Sequence, residues 1–290
     1  MISLWEFFQD LTNPALAFLP KALLIAVMSA TVCGVVGTHV VLRGMAFIGD
    51  AVAHAVFPGI AIAFVLQGSM LLGGAVAGVV IAVLVTLFSQ NRRVKEDTVI
   101  GIFFAFAFAL GLIIISQTRG YTASLSSFLF GSITGVPDSD MVLVAVVGFV
   151  VIAMLLVLHK ELVTVSLDRE TARAQRLPVL WLDLVLYLLV TAAVVISVRT
   201  IGNILVLALL VTPAAAARML TDRMGVMMAL SALIGGVSSF FGLYLSWSLD
   251  VPTGAMIVMV VTGVFFVAWL LSPKQGIVVW LHSRREMVEA

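Results

Sequence analysis

The sequence predicts an all-α fold: a polytopic helical bundle in a lipid bilayer, forming one domain over residues 1–290, with about 8–9 transmembrane helices. Three observations carry this. First, 62% of the 290 residues are hydrophobic and only 11% are charged. Soluble domains carry about 25% charged residues, so this chain has too little polar surface to cover a core of its own, and lipid must be its solvent. Second, the apolar residues fall in runs near 20 long, the length that crosses about 30 Å of hydrocarbon at 1.5 Å per residue. Third, these runs lack the alternation of lipid-facing strands, which leaves helices to satisfy the backbone in lipid.

In chain order, residues 1–20 are expected to form a short interfacial segment, with LWEFFQDL as an amphipathic helix. Glu6 and Asp10 near the start, with neither a basic opening nor a small-residue cleavage site, argue against a cleaved signal peptide. Apolar windows then mark spans at 22–41, 46–66, 70–89, 98–117, 141–158, 179–198, 201–217, 226–248 and 253–271. Gly74 and Gly78 have the small-xxx-small spacing that lets helices approach closely. The 118–140 connection is rich in Ser, Thr and Gly, and fits either a plain loop or a short re-entrant helix around 124–130. The 159–178 connection, HKELVTVSLDRETARAQRLP, mixes charge signs and has helix formers from Asp168 to Arg176. It reads as a solvated loop helix or as a docking surface for a cytoplasmic partner. Residues 273–290 form a tail.

Charge sets the orientation. With the N-terminus outside and the spans alternating, only Lys21, Arg119 and Arg199 of the 16 Lys and Arg fall outside. Positive charge accumulates on cytoplasmic loops, so the expected orientation is N-terminus out, C-terminus in. The single cysteine, Cys33, excludes a disulfide framework and a multi-cysteine metal site.

One apolar stretch carries chemistry: GMAFIGDAVAHAVFPG, residues 44–59. At 1.5 Å per residue from Arg43 at the inner boundary, Asp50 lies roughly 10 Å deep and His54 about 16 Å deep. A carboxylate at such depth costs about 2.5–3.5 kcal/mol on insertion scales and needs a partner or a wet cavity. Asp50 and His54, at i and i+4, share a helix face. Pro58 removes the hydrogen bond to the carbonyl of His54, and Gly49 and Gly59 flank the stretch, so a kinked helix is expected here. Imidazole plus carboxylate suits a divalent transition metal such as Mn²⁺, Fe²⁺ or Zn²⁺, and a two-fold pair of chains would bring two Asp and two His together. The alternative is a hydrogen-bonded Asp–His pair that joins two helices. His39 sits near a helix end, and His159 and His282 lie in cytoplasmic segments. For these three an ordinary structural role is the simpler reading.

LRGMAFIGDAVAHAVFPGIAIAF resembles a motif of the permease subunits of manganese/zinc/iron ABC importers. EDTVIGIFFAFAFALGLIIIS (96–116), SLDRETARAQRLPV (166–179) and NILVLALLVTPAAAARMLT (203–221) resemble further motifs of that family, in the same order. The resemblance spans about residues 16–272. It implies the fold of a type II ABC importer permease and no enzymatic activity in this chain. It also implies a second copy of the chain, cytoplasmic ABC ATPase subunits, an extracytoplasmic metal-binding protein, a bacterial plasma-membrane location and no nucleic acid. No permanently bound cofactor is implied; the metal is cargo. The family's intramembrane acid and imidazole match Asp50 and His54, although Ala53 stands where the family usually has Ser. The 166–179 stretch resembles the region that inserts into the ATPase. There Arg169, Glu170, Arg173 and Arg176 offer charged contacts, and Leu167, Ala172 and Leu177 offer apolar ones. In VTPAAAAR, Pro213 frees the carbonyl of Leu209 and marks either a hinge or gate or a merely kinked bundle helix, and Pro58 and Gly59 mark a further kink or gate. No G-x-x-x-x-G-K-S/T stretch occurs in the chain, so energy from ATP would come through a partner.

Overall fold

The computed structural model describes residues 3–45, 47–90, 94–117, 138–201 and 203–272, and among these the regular structure is helical throughout. The helices are α1 (Leu4–Thr12), α2 (Phe18–Leu42), α3 (Ile48–Ala55), α4 (Phe57–Val65), α5 (Met70–Ser89), α6 (Glu96–Ser116), α7 (Asp138–Val157), α8 (His159–Leu167), α9 (Arg169–Ala174), α10 (Val179–Ile201), α11 (Asn203–Leu220), α12 (Met224–Leu249) and α13 (Thr253–Leu271). Seven of them, α2, α5, α6, α7, α10, α12 and α13, are long and apolar enough to cross a bilayer, and Ala51–Val65 and Leu205–Leu220 are shorter apolar stretches. The expected spans are therefore helical. The one at 46–66, however, is two short helices, α3 and α4, meeting at Val56. The expected re-entrant helix at 124–130 and the tail at 273–290 lie outside the described residues.

The centre of the bundle is α2, whose neighbours approach at glycine positions. A Cβ on Gly34 would sit 2.8 Å from the carbonyl oxygen of Ser231 on α12, and one on Gly235 would sit 2.9 Å from that of Ala30. A Cβ on Gly37 would overlap the carbonyl of Leu210 on α11 at 1.7 Å. Lipid gives helices no hydrophobic reason to associate, so such backbone-close contacts do much of the joining.

Chain reversals follow from local capping. Gly44 adopts φ +70° just past α2, and the amides of Gly44 and Met45 turn back to the carbonyls of Val41 and Val40 at 3.2 and 3.1 Å. This closes the last turn of α2 and releases the chain toward α3. The 159–178 segment is more ordered than a loop: α8 and α9 meet at Asp168. Its amide bonds the Thr164 carbonyl at 3.0 Å, and its carboxylate accepts from the Glu170 amide at 2.9 Å and the Thr171 hydroxyl at 2.5 Å. One residue thus ends one helix and caps the next.

At the other end of α2, Lys21 pairs with Asp138 at 2.5 Å. Asp138 and Asp140 belong to the first turn of α7 rather than to the preceding loop, where acidic side chains favour the helix dipole. α1 opens with a reciprocal Ser3–Glu6 cap. It buries Phe7 against Phe240 and Tyr244 of α12 and leaves Trp5 and Phe8 exposed.

Candidate functional site

α3 and α4 are held from three sides by residues that only a small neighbour permits. A Cβ on Gly49 would lie 2.6 Å from Leu210 Cδ2, so α3 rests directly on α11. Cβ atoms on Gly59 and Gly73 would lie 2.1 and 2.3 Å from each other's carbonyl oxygens, so α4 and α5 touch backbone to backbone. Gly111 of α6 accommodates the ring of Phe57, where a Cβ would be 2.4 Å from its Cδ1. Of the two glycines singled out for helix contact, Gly74 receives the side chain of Val56 and Gly78 that of Thr191 on α10, with Val56 beside it. Gly59 therefore has a packing reason that the sequence reading of a loosened helix did not contain. Pro58 sits in the first turn of α4, where a missing N–H is harmless, and the helix break falls just before it.

Asp50 and His54 lie on α3, one turn apart. His54 is half-buried, with Ala51, Val52, Ala53, Ala55 and Val56 buried around it along the helix. Its ring meets two phenylalanines of α6 edge-on: the ring centres lie 5.3 Å from Phe104 and 5.2 Å from Phe108, with interplanar angles of 88° and 76°. Phe104 and Phe108 stack at 6.1 Å and 16°. An aromatic wall of this kind limits the ring's rotation and excludes water from one side of it. Among the described residues no three His, Cys, Asp or Glu converge on one point. Ala53, just before His54, is buried and brings no hydroxyl.

The sequence reading passed over a charged cluster near the Arg43 end of α2. Arg43 and Asp183, 3% and 0% exposed, pair at 2.6 Å. Arg43 Nε also donates to Ser166 Oγ at 2.9 Å, and Gln90 Nε2 donates to Asp183 Oδ2 at 3.2 Å. Arg169 reaches Asp183 Oδ2 at 3.1 Å and pairs with Glu96. The cluster ties together α2, α5, α6, α8, α9 and α10. A clue was available: Asp183 is an acid inside the span at 179–198, and an acid at such a place demands a partner.

The remaining sequence candidates separate by exposure. Leu167 is 70% exposed, and Glu170, Arg173 and Arg176 are also exposed. Ala172 is fully buried and Leu177 partly so, both against the chain's own core. Arg169 is turned inward to the cluster, so it and Ala172 serve the fold before any external contact. Pro213 lies inside α11, next to the Leu210 carbonyl that Gly37 meets, and the alanines at 214, 216 and 217 are buried.

Known proteins resemble the chain in sequence and overall fold. The family model described as the ABC 3 transport family matches residues 15–272. The manganese transport system membrane protein MntC of Halalkalibacterium halodurans is 38% identical over 292 residues, covering 100% of this chain and 99% of that protein. The chelated iron transport system membrane protein YfeC of Yersinia pestis is 34% identical, covering 92% of this chain and 91% of that one. Among solved structures, PsaBC from Streptococcus pneumoniae in complex with Fab contains a chain 34% identical to this one. It superposes with a TM-score of 0.82 over 94% of this chain and 98% of its own. A helical bundle of this topology, matched over nearly its whole length, is a multi-pass permease of the bacterial plasma membrane, and the chain belongs to the ABC 3 transport family.

Proposed function

We propose that the chain is the membrane subunit of an ATP-driven importer of divalent transition-metal ions (Mn²⁺, Fe²⁺ or Zn²⁺). Two copies form the path, cytoplasmic ATPase subunits drive it, and an extracytoplasmic metal-binding protein supplies the ion. The observation that supports this best is the place of Asp50 and His54: one turn apart on a short apolar helix that glycine contacts fix in position. A carboxylate and an imidazole suit these ions. One chain brings too few ligands for a tight site, and two-fold pairing doubles them. Weak holding suits an ion that must leave again. Relatives named for manganese and iron transport support the same cargo class.

The exposed Leu167, Glu170, Arg173 and Arg176 form the surface offered to the ATPase, at the end of the bundle that carries Arg43. Arg169 and Ala172 hold that surface onto the bundle. The N-terminus is then outside and the C-terminus in the cytoplasm. The test is uptake of radiolabelled Mn²⁺, Fe²⁺ and Zn²⁺ by cells that carry Asp50→Ala or His54→Ala. Uptake should fall to background in both, with normal amounts of protein in the membrane; normal uptake in both would overturn the site. A second reading, import of a metal chelate, is favoured by the relative named for chelated iron. Retained chelate uptake by Asp50→Ala would establish it.

A further inference from the structure

Arg169 opens α9, the short helix whose Glu170 and Arg173 are exposed, but its own guanidinium is turned into the bundle. It pairs with Glu96 in the first turn of α6 and lies 3.1 Å from Asp183 Oδ2 on α10. The other oxygen of Asp183 holds Arg43 at 2.6 Å. Arg43 ends α2, and Gly44, at φ +70°, turns the chain from there toward α3. One side chain therefore grips two elements. Through Glu96 it holds α6, where Phe104 and Phe108 lie about 12 and 18 Å further along at 1.5 Å per residue. Through Asp183 and Arg43 it holds the turn that leads to Asp50 and His54. These are the two sides of the candidate site: α3 brings the ligands, and α6 brings the aromatic wall against His54.

The four charges balance, Arg43 and Arg169 against Asp183 and Glu96, but they differ in burial. Arg43 and Asp183 are 3% and 0% exposed, so separating them strands a desolvated charge. Arg169 and Glu96 are 29% and 20% exposed, so water reaches them and their pairing is exchanged at smaller cost. The inner pair is a fixed point, and the outer pair is the part that can rearrange. Arg43 Nη2 is also buried without a hydrogen-bond partner. A buried donor left open in one arrangement favours another that engages it. Distant sites are coupled by rigid elements joined through side chains that have two arrangements, and α9, α6 and the α2–α3 turn are joined in that way at Arg169.

We propose that Arg169 is a positioning residue for transport: it carries displacement of α9, the helix offered to the ATPase, to α6 through Glu96 and to α3 through Asp183 and Arg43. This rests on the importer reading. Movement of α9 pulls on α6 and on the α2–α3 turn, and their relative shift opens or closes the contact between His54 and its aromatic wall. A residue that only fastened α9 would lose protein or docked ATPase when changed. A coupling residue loses uptake while the chain, the docked ATPase and its hydrolysis of ATP persist.

The experiment uses the whole transporter, two copies of the chain with its ATPase and metal-binding protein, in proteoliposomes. Uptake of radiolabelled Mn²⁺, Fe²⁺ or Zn²⁺ and hydrolysis of ATP are measured in the same vesicles, and their ratio is the readout. In Arg169→Gln, Asp183 keeps Arg43, and buried Ala172 with the Asp168 cap still seats α9, so yield and ATPase docking should stay normal. The ratio of ions to ATP should fall about tenfold, within the ordinary range of coupling between sites. Glu96→Gln, a change on another helix, should lower it as well. The two changes together should do no more than Arg169→Gln alone, because they break the same link. Arg169→Lys, which keeps the charge without the fork that spans two acids, should recover part of the ratio. A normal ratio in Arg169→Gln overturns the proposal, as does a fall that merely tracks lost ATPase. Should Arg169→Gln fail to insert, Glu96→Gln decides, and a normal ratio there overturns it. Failure of the importer reading would appear separately, as no uptake of any of the three ions by the unaltered transporter.

Discussion

Asp168 shows how much one side chain organises at the end of the bundle that carries Arg43. The Thr171 hydroxyl and then the Glu170 amide hold its carboxyl below the usual carboxylate range. A depressed value means that the carboxylate contributes stability at every pH above its ordinary value of about 3.9. The contribution fades only as acid protonates it in the folded chain, so the cap is fully present at neutral pH. Asp168→Ala should fray the start of α9 and weaken co-purification of the ATPase, whereas Asp168→Asn, also a good cap, should preserve it. Capping was within reach of the sequence, since an acid precedes R-E-T-A. The role of Gly59 was not: beside Pro58 it reads as a weak point in a helix, and only the fold shows Gly73 against it. A glycine's cause often lies on another helix, and sequence spacing does not say which.

Between elements, the Arg43–Asp183 pair is the strongest joint. Both groups are desolvated, so removing one leaves the other buried and unpaired, at a cost of about 3–5 kcal/mol. Asp183→Ala should therefore sharply reduce membrane-inserted protein, read as the yield of monodisperse chain in mild detergent. Arg43→Met with Asp183→Leu should recover much of that yield, because an apolar pair of similar volume avoids the desolvation cost. If transport stayed low in the recovered double variant while the ATPase still docked, the pair would have a part in conveying motion from α9 as well as in stability. The length and apolarity of the runs located the spans themselves, because lipid imposes both on each. That pattern was silent on the joint, since Arg43 and Asp183 are brought together by tertiary contact alone. The split between α3 and α4 was half legible: Pro58 announced a disturbance, and the glycine contacts on either side decide where it falls.

For the whole molecule, composition carried the reading furthest, because it follows directly from the energetics of placing charge in hydrocarbon, and the distribution of Lys and Arg gives the expected orientation. The orientation can be checked with reporters. Cys33 is the only cysteine and is buried, so Cys33→Ser gives a clean background. In intact cells or spheroplasts, an impermeant thiol reagent should label Trp5→Cys from outside and should reach Arg173→Cys only after the membrane is opened. The reverse pattern would invert the topology. The number of copies in the assembly is not legible from one chain's sequence or packing, because the surface that meets a partner in a membrane is as apolar as the surface that meets lipid.

The two ends of α2 are fastened by bonds of opposite kinds. Lys21 and Asp138 are 43% and 73% exposed, so dissolved ions reach and shield them. Arg43 and Asp183 lie beyond that reach. Raising ionic strength should thus slacken one rim of the protein and leave the other unchanged, and a membrane protein built this way can register the saltiness of one compartment alone.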